Sequence, residues 1–421
     1  DHRDLHSFPT RRSSDLNWLQ EKSGITDDSA ERFFNDIYEG AYRTGTPALI
    51  RVLSDNALSD ALWLRDTVGV RFYDDLTWYE GHSRVRVLRA VGDGYRLADT
   101  LVEAAGKRDV IIHHTTRAVR LLLDESGTVI GVEAERGGKK IRYESSRGIV
   151  LASGGFGANV QMRQDYDERW GNLDGSVLTS NSPGSTGDGI LMARDAGAAL
   201  IDMSYIQLYP VNNPATGNLY LLDYARLEDN ALLLNREGRR FVNERATRDV
   251  IAATAMRQPG GTIYELIDQK TIRRMNLDER YRSEIARGID QGVLAKGSIE
   301  ECAAFFGLPP SAVHETIRDY NAMAAAGKDA HFGRDGSKPV GDGPYLMFAS
   351  VVSVHHTMGG VRIDTEACVL NDSGKRIPGL FAAGEITGGI HGSNRLGSVA
   401  LVDGVVFGRI AAASAAKYNR N

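Results

Sequence analysis

The chain has few cysteines, few prolines and no strong charge of either sign. Its 421 residues include 2 cysteines, Cys302 and Cys368, which stand far apart without a CxxC motif. The sequence therefore indicates neither a disulfide framework nor a metal or haem attachment site, and we expect no metal. The net charge of −5 gives no electrostatic reason to expect nucleic acid or an anionic membrane as a partner. We also find no apolar run near the roughly 18 residues of a membrane-spanning helix, and expect no span.

Glycine is what the chain has in excess, with 46 glycines against 11 prolines. The glycines are not periodic, which excludes a collagen-like chain. They cluster in short loops after apolar runs, a pattern typical of backbone that approaches a cofactor. A chain of 421 residues is long enough for two domains.

The first sixteen residues look foreign to the rest. The string "HSFPTRRSSDL" reads as a translated sequencing adapter, and no initiating methionine precedes it. We interpret residues 1–16 as an assembly artefact fused to a truncated gene, with a natural polar tail as the alternative. Such a start carries no information on a signal peptide. The expectation for the remainder is a soluble protein of the cytoplasm or periplasm.

Hydrophobic periodicity gives a coarse organisation. Residues 28–70 and 94–109 have helical spacing, and "VIIHHT" (110–115) reads as a buried strand. Residues 117–150 alternate around Ser-Gly and Gly-Gly turns, which predicts a β-meander returning into the apolar strand of "GIVLASGG". The composition changes between about residues 203 and 354, where we predict an inserted second domain.

Two glycine loops open onto predicted helices. In "GLFAAGEITGGIHGSNRLGSVALVDG" (379–404) an apolar strand runs into Gly384 and Glu385, and a helix begins near Ser398. Free N–H groups at a helix N-terminus suit an anion or a ring carbonyl. An ordinary βα loop with a solvated Glu385 is the alternative. "STGDGILMARDAGA" has the same pattern, and a capped helix start without a ligand would also explain it.

The stretch "NREGRRFVNERATRD" (235–249) is dense in charge. Such stretches are usually solvated faces, which is the expectation for Arg239 and Arg245. Arg248 stands between a polar segment and a helix, so it could equally face a cleft and bind a carboxylate.

Five motifs in this order, "GGFGAN", "TGDGILMARDAGA", "NREGRRFVNERATRD", "HHTMGGV" and "GLFAAGEITGGIHGSNRLG", resemble the flavoprotein subunits of the fumarate reductase/succinate dehydrogenase superfamily. The likeness is greatest to soluble flavocytochrome-type fumarate reductases and urocanate reductases, and it runs from about Asn17 to the C-terminus. It implies an α/β fold, with a Rossmann-like FAD-binding domain and an inserted α+β capping domain. The implied boundaries are 17–203 and 355–421 for the FAD-binding domain and 204–354 for the capping domain.

The resemblance implies FAD as the cofactor, although the first βαβ unit with its GxGxxG loop is missing from this sequence. The implied cofactor-binding residues are Ser153, Gly154, Gly155, Thr186, Gly187, Asp188, Gly189, His356, Gly384, Glu385, Ser398, Ala400 and Leu401.

The implied reaction is reduction of a carbon–carbon double bond conjugated to a carboxylate. By resemblance, His355 and Arg395 bind the carboxylate, and Arg248 is the acid that protonates the α carbon. Asp223 and Arg226 would form the relay that supplies this proton.

Tyr209 and Leu222 stand where dicarboxylate-reducing relatives have a histidine and a threonine. We therefore expect a monocarboxylate with a planar or apolar tail, such as a urocanate- or cinnamate-like acid, in preference to fumarate. The alternatives are a fumarate reductase or succinate dehydrogenase, a 3-ketosteroid dehydrogenase-like flavoprotein, and a remnant without cofactor. An external electron donor, either an FMN or haem domain or a reductase, would lie outside this chain.

Overall fold

The N-terminal part is mostly helical, as its apolar spacing predicts. A computed structural model describes residues 16–419, so the predicted artefact lies outside the described residues except for Leu16. The helices are α1 (Trp18–Lys22), α2 (Ala30–Gly40), α3 (Pro47–Trp63) and α4 (Asp93–Gly106). A single π-helical turn, Leu64–Val68, extends α3. An antiparallel pair, β1 (Phe72–Thr77) and β2 (Val87–Ala90), precedes α4.

The predicted β-meander is confirmed. β3 (Arg117–Leu123), β4 (Val129–Arg136) and β5 (Lys139–Glu144) form a three-stranded antiparallel sheet. The chain then enters β6 (Ile149–Leu151), α5 (Val160–Tyr166), α6 (Asp188–Asp195) and β7 (Leu200–Ile201).

The prediction of a buried strand at residues 110–115 is wrong. These residues form no strand, and the side chains of Val110, Ile111 and Ile112 are 54%, 79% and 43% exposed. A strand requires a neighbour for its backbone N–H and C=O groups. Within residues 16–419 no strand pairs with this segment, so its apolar composition alone does not make it a strand.

The middle of the chain builds a separate α+β unit. Its five-stranded antiparallel sheet has the order β11-β12-β10-β9, with β8 also paired to β12. The strands are β8 (Ile206–Asn212), β9 (Leu232–Leu234), β10 (Thr262–Ile267), β11 (Leu294–Gly297) and β12 (Tyr345–Thr357). The helices are α7 (Tyr224–Glu228), α8 (Arg248–Ala255), α9 (Gln269–Arg274), α10 (Leu277–Arg280), α11 (Arg282–Asp290), α12 (Ile299–Phe306) and α13 (Pro310–Ala325). Two 3₁₀ turns, Leu221–Asp223 and Pro259–Gly261, complete it.

The C-terminal part returns to the first unit. It contains β13 (Gly360–Arg362), β14 (Cys368–Leu370), β15 (Arg376–Ala382), β16 (Thr387–Gly388) and α14 (Val399–Lys417). β15 pairs in parallel with β6 and antiparallel with β14, and β13 joins β16 to β7. The fold class is thus a mixed α/β architecture.

The hydrophobic cores follow this division in part, because the core of the first unit also includes Ile206 and Leu208 of β8. One core joins residues of the N-terminal and C-terminal parts, such as Phe156 and Phe407. Two others lie on the two faces of the middle sheet, around Phe348 and Tyr320. Strand β12 runs without interruption through the predicted boundary at residue 354, and its last residues belong to the active-site region.

Helix α14 corrects the expectation about apolar runs. Within the part of the chain that the structure describes, this 19-residue helix is long and apolar enough to cross a membrane, by length and composition only. The core helix of a soluble protein meets the same criteria. Val406, Phe407 and Ala411 of this helix are buried in the first core, and the buried Asp403 accompanies them.

The charge-dense stretch 235–249 is only partly a solvated face. Arg239 is exposed and pairs with Glu315, as expected. Arg245, also expected in solvent, is half-buried and stacks over Trp78, with 5.5 Å between its guanidinium carbon and the ring centre. Glu244 is fully buried and accepts hydrogen bonds from the neighbouring arginines Arg240 and Arg334.

Replacing Arg240 tests this buried cluster. The change Arg240→Ala leaves the buried carboxylates of Glu244 and Asp329 short of a donor, and we expect a loss of about 3–5 kcal/mol in the free energy of unfolding. The adjacent Arg239→Ala removes an exposed pair and should cost about 0–1 kcal/mol. Urea unfolding followed by circular dichroism measures both. Equal midpoints for the two variants would contradict the structural role of the cluster.

Candidate active site

The end of strand β12 brings two histidines to the junction of the two units. His355 Nδ1 lies 2.9 Å from the hydroxyl of Ser180, and its ring centre lies 5.2 Å from that of Tyr209. Tyr209 is on β8, which pairs with β12 so that Tyr209 opposes Ser353. The register shifts after Val354, which changes the regular alternation of the strand where His355 and His356 follow.

Arg395 comes from the loop that precedes α14. Its side chain is buried, with one guanidinium N–H donating to the backbone carbonyl of Leu396 at 3.0 Å, and its Nε has no hydrogen-bond partner. Gln207 of β8 fixes this loop, because its side chain donates to the carbonyl of Arg395 at 2.8 Å. Both predicted carboxylate-binding residues therefore sit on backbone that β8 and β12 hold in place.

Arg248 is the first residue of α8, and its side chain points to the same region. The guanidinium carbon lies 4.9 Å from the ring centre of Tyr209 and 5.6 Å from that of Tyr79. Its Nε donates to Oε1 of Glu80 at 3.3 Å, while Oε2 of this buried glutamate has no partner. Sequence reasoning missed Glu80. The available signal was weak: a single acid between aromatic residues and a glycine in "TWYEGH".

Asp223 and Arg226 form a buried ion pair. Arg226 donates to both carboxylate oxygens of Asp223, at 2.6 and 2.8 Å, and to the backbone carbonyl of Glu244. Tyr209 donates a short hydrogen bond from its hydroxyl to the same carboxylate. No hydrogen bond between described residues joins Arg248 to this pair. Tyr209 is the group that lies between them.

These side chains surround one cavity of about 330 Å³. Tyr209, Asp223, Arg248, His355 and Arg395 contribute to one part of its wall. The remaining predicted substrate contact, Leu222, is fully buried in the core of the middle unit instead. Further hydrophobic and aromatic side chains line the cavity, namely Tyr79, Leu219, Tyr220, Leu221, Tyr224 and Leu227.

The electrostatics of the cavity favour an anion. Burial, followed by the positive charge of Arg248, lowers the pKa of Arg395 from its ordinary value to about 9. Burial and the same two arginines hold the pKa of His355 well below its usual range. His355 is therefore a neutral imidazole that donates one N–H, and the two guanidinium groups repel one another until a negative group lies between them.

The start of α14 also lines the cavity. Ser398, Ala400 and Leu401 line it together with His356. Ser398 is the N-cap and adopts a left-handed backbone with φ of 65°, and Leu401 is 61% exposed. The first turn of this long helix, with its free N–H groups, therefore borders the cavity.

The predicted cofactor residues Ser153, Gly155 and Gly189 lie close together, next to Thr357. The N–H of Gly187 donates to the carbonyl of Gly155, and a side chain at Gly155 or Gly189 would overlap Thr357 or Ser153. The backbone of Gly154 is bare, with a φ of +78° and nothing within 4 Å of the position of a Cβ. Only a glycine leaves this space for an adjoining flat group.

Two polar side chains, His356 and Glu385, lie in the same region as these glycines. Nε2 of His356 is buried without a hydrogen bond, and Nδ1 lies 3.4 Å from Glu385. Burial raises the pKa of Glu385, which accepts the N–H of Thr357 at 3.0 Å. The bare glycines and the unpartnered imidazole fit the ring end of a flavin. Asp188, by contrast, is engaged by Arg117 at 2.7 Å, and Thr186 and Gly384 lie in the neighbouring turns.

Comparisons with known proteins agree with this geometry. Residues 16–401 match the family described as FAD binding domain. The chain is 37% identical to a urocanate reductase of Eggerthella lenta over 95% of this chain and 66% of the relative. It is 35% identical to a fumarate reductase (cytochrome) of Shewanella frigidimarina over 95% and 68%. The structure resembles the open conformation of a flavocytochrome c3 fumarate reductase, with a TM-score of 0.76, 32% identity, and coverage of 97% and 71%.

The chain thus spans about two thirds of the length of the two curated relatives. The predicted resemblance, the fold class and FAD as the cofactor are confirmed by the family match and by these likenesses. The chain belongs to the FAD binding domain family, and its sequence is similar to a urocanate reductase and a fumarate reductase.

Proposed function

We propose that this chain is the catalytic flavoprotein part of a reductase that saturates a carbon–carbon double bond conjugated to a carboxylate. The observation that carries the proposal is the cavity that Arg248, Arg395 and the neutral His355 line together with the start of α14. A carboxylate is the ligand that two guanidinium groups and one imidazole N–H bind best. A ketone, as in a steroid substrate, would leave both cations without an anionic partner. The reverse reaction of a succinate dehydrogenase remains an alternative for the same groups.

Binding and polarisation of the carboxylate are assigned to His355 and Arg395. The two groups are held by β12 and by the loop fixed by Gln207, so they need little reorganisation when negative charge develops on the substrate. The cofactor residues would hold FAD, whose ring supplies the hydride to the β carbon. His356 and Ser398 line the same cavity and would orient the flavin ring.

Protonation of the α carbon is assigned to Arg248. Arginine is a weak acid whose pKa exceeds about 12, and proteins rarely deprotonate it. The carbon centre that it protonates is itself strongly basic, so the two are adequately matched. Hydrogen bonding to Glu80 and contact with two tyrosine rings hold the guanidinium in position. The pair Asp223–Arg226 is the proposed source of the replacement proton.

The domain boundaries 17–203, 204–354 and 355–421 are part of the proposal. The separate cores on either side of the cavity support them. Arg248 belongs to the middle unit and Arg395 to the first, so movement of one unit toward the other would close the cavity around the substrate and expel water. Electrons would arrive from an FMN or haem domain or a separate reductase. We propose a soluble protein of the cytoplasm or periplasm.

The tail of the substrate is proposed to be planar or apolar and uncharged. The wall beyond the arginines consists mainly of tyrosine and leucine side chains, and the hydroxyl of Tyr209 is already committed to Asp223. A second carboxylate there would lose its hydration without gaining a cationic donor, which costs several kcal/mol. A urocanate- or cinnamate-like acid would instead stack on the rings.

Replacing Arg248 tests the proposed acid. In a holoenzyme, we expect Arg248→Lys and Arg248→Ala to lower kcat by at least about 10²-fold, because each removes the positioned proton donor. Flavin content should be unchanged, since no proposed flavin contact is lost. Anaerobic reoxidation of a reduced viologen dye measures turnover. Arg245→Lys, on the same segment but outside the cavity, is the control, and activity of Arg248→Lys within a few-fold of the parent would remove Arg248 from the mechanism.

Replacing Tyr209 tests the substrate class. The parent holoenzyme should prefer urocanate, cinnamate or acrylates to fumarate in kcat/KM, and Tyr209→His should raise kcat/KM for fumarate by about tenfold, because the imidazole can donate to a second carboxylate. Tyr220→His makes the same change elsewhere in the cavity wall and should not favour fumarate. A parent enzyme that prefers fumarate would refute the proposed substrate class.

A further inference from the structure

Glu265 is a single acid inside an otherwise apolar strand. It is the fourth residue of β10, "TIYELI", between the partners Leu233 on β9 and Phe348 on β12. Its side chain is 0% exposed. Side chains alternate along a strand, so Glu265 faces the same way as Ile263 and Ile267, into the core that also packs around Tyr209.

Neither carboxyl oxygen of Glu265 receives a hydrogen bond from any described residue. An ionised carboxylate without donors in an apolar interior is very costly, and such a group takes up a proton instead. The nearby guanidinium groups donate to other acceptors, and Nε of Arg334 makes no hydrogen bond to Glu265. Arg226 donates to Asp223 and to the carbonyl of Glu244, and Arg334 donates to Ala231, Asn230 and Glu244.

The carboxyl group that Glu265 meets is that of Asp223. Burial raises the pKa of Glu265 well above its ordinary value, and the negative charge of Asp223 raises it further. Two carboxyl groups in contact form a hydrogen bond only when one of them carries a proton, because two carboxylates are both acceptors. Asp223 is held as the ionised partner by Arg226 and by the hydroxyl of Tyr209.

We propose that Glu265 and Asp223 share one proton, held on Glu265, and that Glu265 is the proton reserve behind the active site. That Glu265 carries the proton stands on its burial and missing donors, and that Asp223 shares it stands on the side-chain hydrogen bond between the two carboxyl groups. The second part rests on the proposed reductase function. Glu265 touches neither the cavity nor the substrate, so it acts through Asp223 and is a positioning and relay residue.

The relay balances with one proton for each turnover. Arg248 gives its proton to the α carbon and must regain one before the next cycle. The proton leaves Glu265 for Asp223. Tyr209 connects Asp223 to Arg248, because its hydroxyl donates to Asp223 and its ring lies under the guanidinium of Arg248. Glu265 is then reprotonated from bulk water between turnovers. No electron or heavy atom moves in this sequence.

The variant Glu265→Gln tests the shared proton in the purified full chain without any substrate. Infrared spectra of the parent at neutral pH should contain the C=O stretch of a protonated carboxylic acid that the variant lacks. The pH dependence of folding stability is an independent test of whether Glu265 is protonated. A carboxyl whose folded pKa is raised costs stability increasingly as the pH rises above its unfolded value. We therefore expect urea midpoints of variant and parent to agree near about pH 5 and the variant to be more stable near about pH 8.

Glu244→Gln is the matched control, because Glu244 is equally buried but receives hydrogen bonds from Arg240 and Arg334. It should lose stability near neutral pH, the opposite of Glu265→Gln. If Glu265→Gln also loses stability at about pH 8 and no acid band disappears, Glu265 is ionised and paired, and the proposal is overturned.

Kinetics of the holoenzyme test the relay. Glu265→Gln should lower kcat by roughly tenfold or more with KM and flavin content unchanged, and enlarge the solvent deuterium isotope effect on kcat. Glu265→Asp should recover part of the rate, since it keeps an exchangeable proton. A shared proton with an unchanged kcat would overturn the relay role. A parent that reduces no unsaturated carboxylate would refute the proposed function, while the infrared and stability results would still decide the shared proton.

Discussion

The pairing of β8 with β12 is the contact on which the rest of the site depends. It places Tyr209 beside His355, and through Gln207 it fixes the loop that carries Arg395. The same pair of strands joins the sheet of the middle unit to the first unit. Cavity, cations and tyrosine wall therefore share one backbone frame, in which a shift of register would exchange the faces of every side chain.

The cavity wall carries positive charge that nearby acids do not fully neutralise. Arg248 and Arg395 face one cavity, and among residues 16–419 only one acid, Glu80, is hydrogen-bonded to either of them. Burial lowers the pKa of Arg395. This arrangement costs stability in the empty protein, because like charges approach in a poorly solvated space. An anionic substrate relieves that cost. Most of the binding energy therefore comes from the substrate carboxylate, which is adjacent to the double bond that reacts.

Much of this architecture could be predicted from the sequence, and the failures have physical causes. The meander and most of the helices could be predicted because their apolar residues have a local periodicity. The glycine loops could be assigned to one region only through the family resemblance. Residues 110–112 have the composition of a strand, but no strand in the described part of the chain pairs with them, and composition cannot reveal this. Leu222 is turned into the core by the 3₁₀ turn Leu221–Asp223, so its neighbours line the cavity instead. Glu80 and Glu265 are single acids whose burial arises only from tertiary packing.

The buried polar groups of the middle unit form one connected system. Tyr209 bonds to Asp223, Asp223 to Arg226, and Arg226 to the backbone of Glu244, whose carboxylate binds Arg240 and Arg334. Replacing such a network by apolar residues would often increase stability. Its benefit here is positional: Tyr209 and Arg226 both donate to Asp223, so this carboxylate keeps one orientation in the cavity wall. The neutral acid of Glu265 completes the system without adding a second negative charge, which Arg226 alone could not have compensated.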